Sequence, residues 1–72
     1  MFKYFIKNLE KAMPITSKEY ENYMIKEAIS EGETKTTAMR VIRENRQEAR
    51  EESYNVFTLN CGAQLIIEKE IK

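Results

Sequence analysis

Residues 54–67 read YNVFTLNCGAQLII, and this stretch decides the fold. Two β-prone runs flank the short segment Asn60–Gly62, which is the sequence signal for a β-hairpin. A three-residue loop places Gly62 where the backbone needs a positive φ, which a residue without a Cβ adopts at no steric cost. We therefore expect three cross-strand pairs: Leu59 with Ala63, Phe57 with Leu65, and Asn55 with Ile67.

One face of this hairpin is apolar. Because side chains alternate between the two faces of a strand, we expect one face to carry Phe57, Leu59, Ala63, Leu65, Ile67 and Ile71. An isolated two-stranded hairpin is marginally stable in water. The rest of the chain must therefore cover this face.

The composition predicts one globular, soluble domain over residues 1–72. The chain has 72 residues, of which 42% are hydrophobic and 33% charged, with a formal net charge of zero. This balance favours neither a general nucleic-acid binder nor an acidic DNA mimic. A chain this short buries a small core, so we expect self-association, as a homodimer, to add stability.

The residue types present also exclude several chemistries. The chain has one cysteine, no histidine and no aspartate. A single cysteine cannot form an intramolecular disulfide, so we expect a cytoplasmic protein. Without histidine, a Cys/His zinc site and a His-based triad are impossible. We therefore expect a protein that is not an enzyme and binds no metal or cofactor. No apolar run approaches the about 18 residues of a membrane span, so we expect no membrane partner. Cys61 is interpreted as a tolerated turn residue.

The N-terminal residues show a helical spacing. Apolar side chains recur every three or four positions, at Phe2, Phe5, Ile6, Leu9, Ala12 and Met13, and predict an amphipathic helix. Pro14 would end it, since the residue before a proline is pushed out of the α region. A short strand over Lys3–Ile6 is the alternative, because aromatic residues and isoleucine favour strands.

The next segment carries the clearest helix signal. Thr16 precedes Glu19 by three residues, the spacing of a capping box, and predicts a helix that starts at about Ser17. Ile15 and Tyr20 sit where a hydrophobic staple would lie. Gly32 is a natural residue to end this helix.

A third helix is predicted after the threonines at 34, 36 and 37, because nearly every residue from Ala38 to Ser53 is a helix former. The expected fold is therefore α+β, with two to three N-terminal helices packed on a C-terminal antiparallel β-hairpin. The alternative makes Lys35–Arg43 a strand and 44–53 a loop, which gives a helix with a three-stranded antiparallel sheet.

A basic stripe on the third helix supports one hypothesis of function. Arg43, Arg46 and Arg50 recur on one helix face, with Lys35 and Arg40 upstream, and we take these five as candidate contacts to a partner or to nucleic acid. The layout resembles a winged helix-turn-helix, and the run Gly32–Arg43 resembles the inter-helix turn and second helix of ribbon-helix-helix repressors. These resemblances imply a small dimeric DNA-binding transcriptional regulator that places the Thr34–Arg50 helix in a groove of double-stranded DNA. A solvated helix laced by ion pairs is the alternative interpretation.

The favoured hypothesis is a small protein-binding module. Tyrosine and methionine, four of each, are abundant for so small a core and are favoured at interfaces. The last strand, ending at residues 68–72, is a candidate free edge that could extend a partner's sheet. An inhibitor or adaptor from a phage or mobile element, which acts by occluding a host protein, is one example.

Overall fold

A computed structural model describes residues 1–70 and has an α+β architecture. Two β-hairpins flank a pair of helices. The elements are β1 (Phe2–Lys7), β2 (Ala12–Ile15), α1 (Ser17–Ser30), α2 (Lys35–Glu52), β3 (Tyr54–Thr58) and β4 (Gln64–Lys69). Together the hairpins form a four-stranded antiparallel sheet in the order β2-β1-β4-β3.

The C-terminal hairpin forms in the predicted register. Asn55 lies opposite Ile67 and Phe57 opposite Leu65, and the Leu59 amide donates to the Ala63 carbonyl at 2.8 Å. The loop glycine, Gly62, has φ +95°. The predicted apolar face supplies Leu59, Leu65 and Ile67 to the buried core, while Ile71 lies outside the described residues.

The predicted N-terminal helix is wrong, because this segment forms the hairpin β1–β2. Residues 2–7 also carry a two-residue alternation, in which Phe2, Tyr4 and Ile6 pack towards the core and Lys3 lies on the opposite face. The alternative strand over Lys3–Ile6 is confirmed by β1. The strand period prevails because β1 is a central strand of the sheet. Its backbone groups pair with β2 on one side and with β4 on the other.

Two further expectations for the strands are corrected. Pro14 ends no helix but lies within β2, an edge strand, where a missing N–H is tolerated. The last strand is not a free edge, because β4 is hydrogen-bonded to β1 on one side and to β3 on the other. The fold therefore has strands both before and after its helices, instead of helices followed by a hairpin.

The two central helices match their sequence signals. Thr16 and Glu19 form the reciprocal capping box, with the Glu19 amide 3.0 Å from Thr16 Oγ1 and the Thr16 amide 2.8 Å from Glu19 Oε1. Gly32 follows α1 with φ +81°. Thr34 caps α2 by accepting from the Thr37 amide at 3.2 Å. The alternative strand over Lys35–Arg43 is wrong, since these residues open the long helix α2.

The core lies between the helices and one face of the sheet. Its buried members are Tyr4, Leu59, Leu65 and Ile67 from the sheet side, and Tyr20, Met24, Ile42 and Ala49 from the helices. Both helices cover this one face, and no described residue outside the sheet covers the other face, which is open. Neither α1 nor α2 has the length and apolarity to cross a membrane.

Candidate functional site

A row of apolar side chains crosses the open face of the sheet. The register places Phe5 opposite both Pro14 and Ile66, and Ile66 opposite Val56, so the row touches all four strands. None of these four belongs to the buried core or packs against it. Phe5 and Ile66 are half-buried by their neighbours, while Val56 is 42% exposed. We call Pro14, Phe5, Ile66 and Val56 the open-face row.

Polar residues border this row on both sides. On one side Lys3 lies opposite Glu68, which lies opposite Tyr54, and all three are exposed. On the other side Lys7, Gln64 and Thr58 are aligned in the same way. The border carries two lysines and one glutamate, so it has no strong field of one sign. An apolar centre within a polar rim is the arrangement typical of protein–protein interfaces.

A hollow lies at one end of the open-face row. β2 ends at Ile15, where the chain turns towards α1, while β1 begins at Phe2. The resulting depression has a volume of about 750 Å³ and is lined by residues 1–5 and 14–17. Met1, which lines it, is 92% exposed. Apolar surface therefore continues from the open-face row into a concave region.

Arg46, one of the predicted contact residues, is engaged within the molecule. Its Nε donates to Tyr4 Oη at 2.9 Å, and its Nη2 donates to Glu21 Oε2 at 2.8 Å. The guanidinium carbon also lies 5.6 Å from the Tyr4 ring centroid. Partial burial alone would lower the pKa of Arg46, but the hydrogen bonds with Glu21 and Tyr4 outweigh it and raise that pKa above its ordinary value. Arg46 thus joins α2 to α1 and β1.

The other predicted contact residues are exposed on α2. Arg43 and Arg50 line a groove of about 260 Å³ together with Arg46, Met39 and Gln47. The Arg50 guanidinium lies 5.6 Å from the Phe2 ring centroid, and its Nη1 donates to Gln47 Oε1 at 2.8 Å.

The predicted basic stripe of lysine and arginine residues is therefore only partly assembled. Lys35 and Arg40 are exposed but do not line this groove. The structure brings three of the five residues together, and one of these three has its guanidinium bonded to Glu21 and Tyr4.

A second polar contact lies in the core beside Arg46. Asn45 Nδ2 donates to the hydroxyl of Tyr20 at 3.1 Å. Burial raises the pKa of the Tyr20 hydroxyl, and the hydrogen bond from Asn45 and the nearby charge of Arg46 offset this in part. Tyr20 is fully buried, so this hydroxyl has a structural role.

Two other candidates have simple surroundings. Cys61 is exposed at the tip of the β3–β4 hairpin. Within residues 1–70, no group of three or more carboxylate or thiol side chains is arranged to hold a metal ion.

The hairpin register predicts Val56 opposite Ile66 as an apolar pair, but the Phe5 and Pro14 half of the open-face row was not predicted, although the sequence carries a signal for it. The alternation Lys3, Phe5, Lys7 is the pattern of a strand with one apolar residue on an otherwise charged face. With the N-terminal segment taken as a helix, Phe5 was placed in the core and the row could not be recognised.

In comparisons with known proteins, no protein-family model, curated protein or solved structure matches this chain.

Proposed function

We propose that this protein is a non-enzymatic protein-binding module that uses the open side of its sheet. The observation that carries the proposal is the open-face row, an apolar row across four strands that no described part of the chain covers. Exposed contiguous apolar surface with a polar border is costly in water and is a mark of interaction sites. By binding here, the module would act as an inhibitor or adaptor that occupies a surface of its partner.

The charge distribution supports a protein partner over DNA. Lys3 and Lys7 on the open face are accompanied by Glu68, which leaves a net charge of only +1, far from the cluster of basic residues that phosphate binding requires. On α2 the arginines alternate with Glu44, Glu48, Glu51 and Glu52.

A capture experiment tests the proposal. Immobilised protein is exposed to a lysate of the source cell with a photo-activated cross-linker, and captured proteins are quantified for the wild type and for Phe5→Ser. We expect at least a tenfold loss of a specific partner with Phe5→Ser. Ile29→Ser is the matched control, because Ile29 is an apolar residue on α1 that is 60% exposed. Equal capture by wild type and Phe5→Ser would refute use of the open-face row.

The dimeric DNA-binding regulator stays a prediction with its own test. Duplex DNA is titrated at low and moderate salt with wild type, Arg40→Glu and Arg43→Glu, which change exposed arginines and spare Arg46. If the protein-binding proposal is right, we expect no binding that falls steeply with salt. Salt-dependent binding that both variants abolish would favour the regulator instead.

A further inference from the structure

Within residues 1–70, the outer edge of β3 presents a row of unpaired backbone groups. The Lys69 amide donates to the Ser53 carbonyl at 2.9 Å, and the Leu59 amide donates to the Ala63 carbonyl at 2.8 Å. Since hydrogen bonding alternates along an antiparallel strand, the odd-numbered residues of β3 bond to β4. The N–H and C=O groups of Tyr54, Val56 and Thr58 therefore point away from the sheet.

The opposite edge, on β2, is blunted. The Asn8 amide donates to the Lys11 carbonyl at 3.0 Å, which fixes the same alternation in the β1–β2 hairpin. The outward-facing residues of β2 are Ala12 and Pro14, and a proline has no N–H to donate. By contrast, β3 contains neither proline nor a charged residue. An incoming strand would thus find its hydrogen bonds on β3.

The helix beside β3 gives this edge an acidic side. Glu48 on α2 accepts a hydrogen bond from Asn55 Nδ2 at 2.9 Å, which places its carboxylate at the edge strand. Glu44 and Glu52 lie one helical turn before and after Glu48, on the same side of the helix. Asn55 is 5% exposed, and within residues 1–70 its Oδ1 has no hydrogen-bond partner. The helix side of the edge therefore offers exposed carboxylates, of which Glu48 is held against the edge strand by Asn55.

From these features we infer that the β3 edge binds an extended segment of a partner protein in which apolar and basic residues alternate. Its backbone would pair with Tyr54, Val56 and Thr58 by β-strand addition. Its apolar residues would extend the open-face row beyond Val56, and its basic residues would face Glu44, Glu48 and Glu52. A basic residue opposite Asn55 brings a donor next to the Glu48 carboxylate.

This inference rests on the proposed function and adds area that the open face lacks. Four strands about 4.8 Å apart and five residues long give a footprint of about 300 Å². Stable interfaces bury about 800 Å² on each partner. A partner that also adds a strand at the edge comes closer to that area.

A second copy of this chain is a poor occupant of the edge. Two β3 strands paired around a twofold axis would bring the α2 helices side by side, with Glu44, Glu48 and Glu52 of each facing the same residues of the other. Like charges brought together in this way oppose association. An incoming strand with basic residues on the helix side replaces this repulsion by attraction.

The test uses a fluorescent peptide of seven residues in which lysine and valine alternate, titrated against the intact protein and followed by anisotropy and by amide NMR spectra. We expect binding at low salt, with the largest amide shifts at Tyr54, Val56 and Thr58. Val56→Pro should weaken binding at least tenfold, while Ala12→Pro, which places the same change at the outward-facing position of the other edge, should leave it unchanged. A peptide with glutamate in place of lysine should not bind.

A second variant keeps the test valid if Val56→Pro does not fold. The combined change of Glu44, Glu48 and Glu52 to glutamine preserves the acceptor for Asn55 and should weaken binding at least tenfold and remove its salt dependence. No binding, or shifts centred on β2, would overturn the inference. So would a dimer that is detected by light scattering and lost with Val56→Pro, since the edge would then hold a second copy. If the peptide fails to bind while Phe5→Ser still loses a captured partner, strand addition at the β3 edge is refuted and the proposed function is retained.

Discussion

Replacement of Arg46 by methionine should destabilise the fold far more than the same change at Arg43. Methionine keeps most of the aliphatic packing of the arginine stem but removes the guanidinium, which bonds to Tyr4 and Glu21 and lies against the Tyr4 ring. Arg43 lies on the same helix and is exposed. The pair therefore separates an arginine that holds the fold from one that lies on the surface.

The expected magnitude follows from the three contacts. A hydrogen bond to a charged donor contributes about 1.5–3 kcal/mol. The ion pair with Glu21 contributes about 0.2–1 kcal/mol, because its side chains are 25% and 31% exposed and solvent screens it. The cation–π contact contributes about 0.5–1 kcal/mol. One guanidinium makes all three, and water replaces part of them after substitution, so we expect a net loss of about 2 kcal/mol.

Urea unfolding followed by circular dichroism measures this loss. A decrease of 2 kcal/mol in the free energy of unfolding lowers the Tm of a domain of this size by roughly 8–16 °C. Arg43→Met should change the free energy by less than about 0.5 kcal/mol. Equal losses for the two variants would refute the assignment of Arg46 as a structural residue and would return it to the candidate contacts.

Three further changes test the local structure by the same unfolding assay. Ser53→Gly should stabilise the protein by about 0.5–1 kcal/mol, since Ser53 has φ +77° at the end of α2, whereas Ser30→Gly within α1 should not stabilise it. Thr16→Ala should cost about 1 kcal/mol through loss of the capping box, and the exposed Thr36, changed to alanine, should show no such loss. Burial raises the pKa of Tyr20 above its ordinary value of about 10. The buried, protonated hydroxyl therefore makes its full contribution to the free energy of unfolding below pH 10, and this contribution is lost as the pH rises above that value. Tyr20→Phe should therefore reduce the loss of stability between about pH 9 and 11, and an unchanged pH profile would contradict this account.

The local signals in the sequence were sufficient for the parts of the fold that depend on neighbours along the chain. The capping box at Thr16, the glycine at 32 and the loop Asn60–Gly62 each specify a backbone conformation through residues within a few positions. Their predicted roles agree with the structure for that reason.

The N-terminal hairpin depended on contacts that no local pattern contains. Residues 2–7 fit a helical period and a strand period at once, and β1 is fixed by its pairing with β4, which lies at the other end of the chain. The same holds for the candidate site, because the open-face row exists only when Pro14, Phe5, Ile66 and Val56 come into register. The arginine stripe was visible on α2, but the engagement of Arg46 with Tyr4 and Glu21 depends on tertiary packing.

The central pairing of β1 with β4 has a consequence for how the chain folds. The two hairpins and the helical pair are local units that can begin to form early, but the contact that unites the sheet joins segments from opposite ends of the chain. Formation of the β1–β4 pairing costs the entropy of closing a loop of nearly the whole sequence. Each hairpin alone is marginally stable in water. Assembly therefore waits for this long-range step, and the molecule should fold more slowly than a helical bundle of equal length, in one cooperative transition.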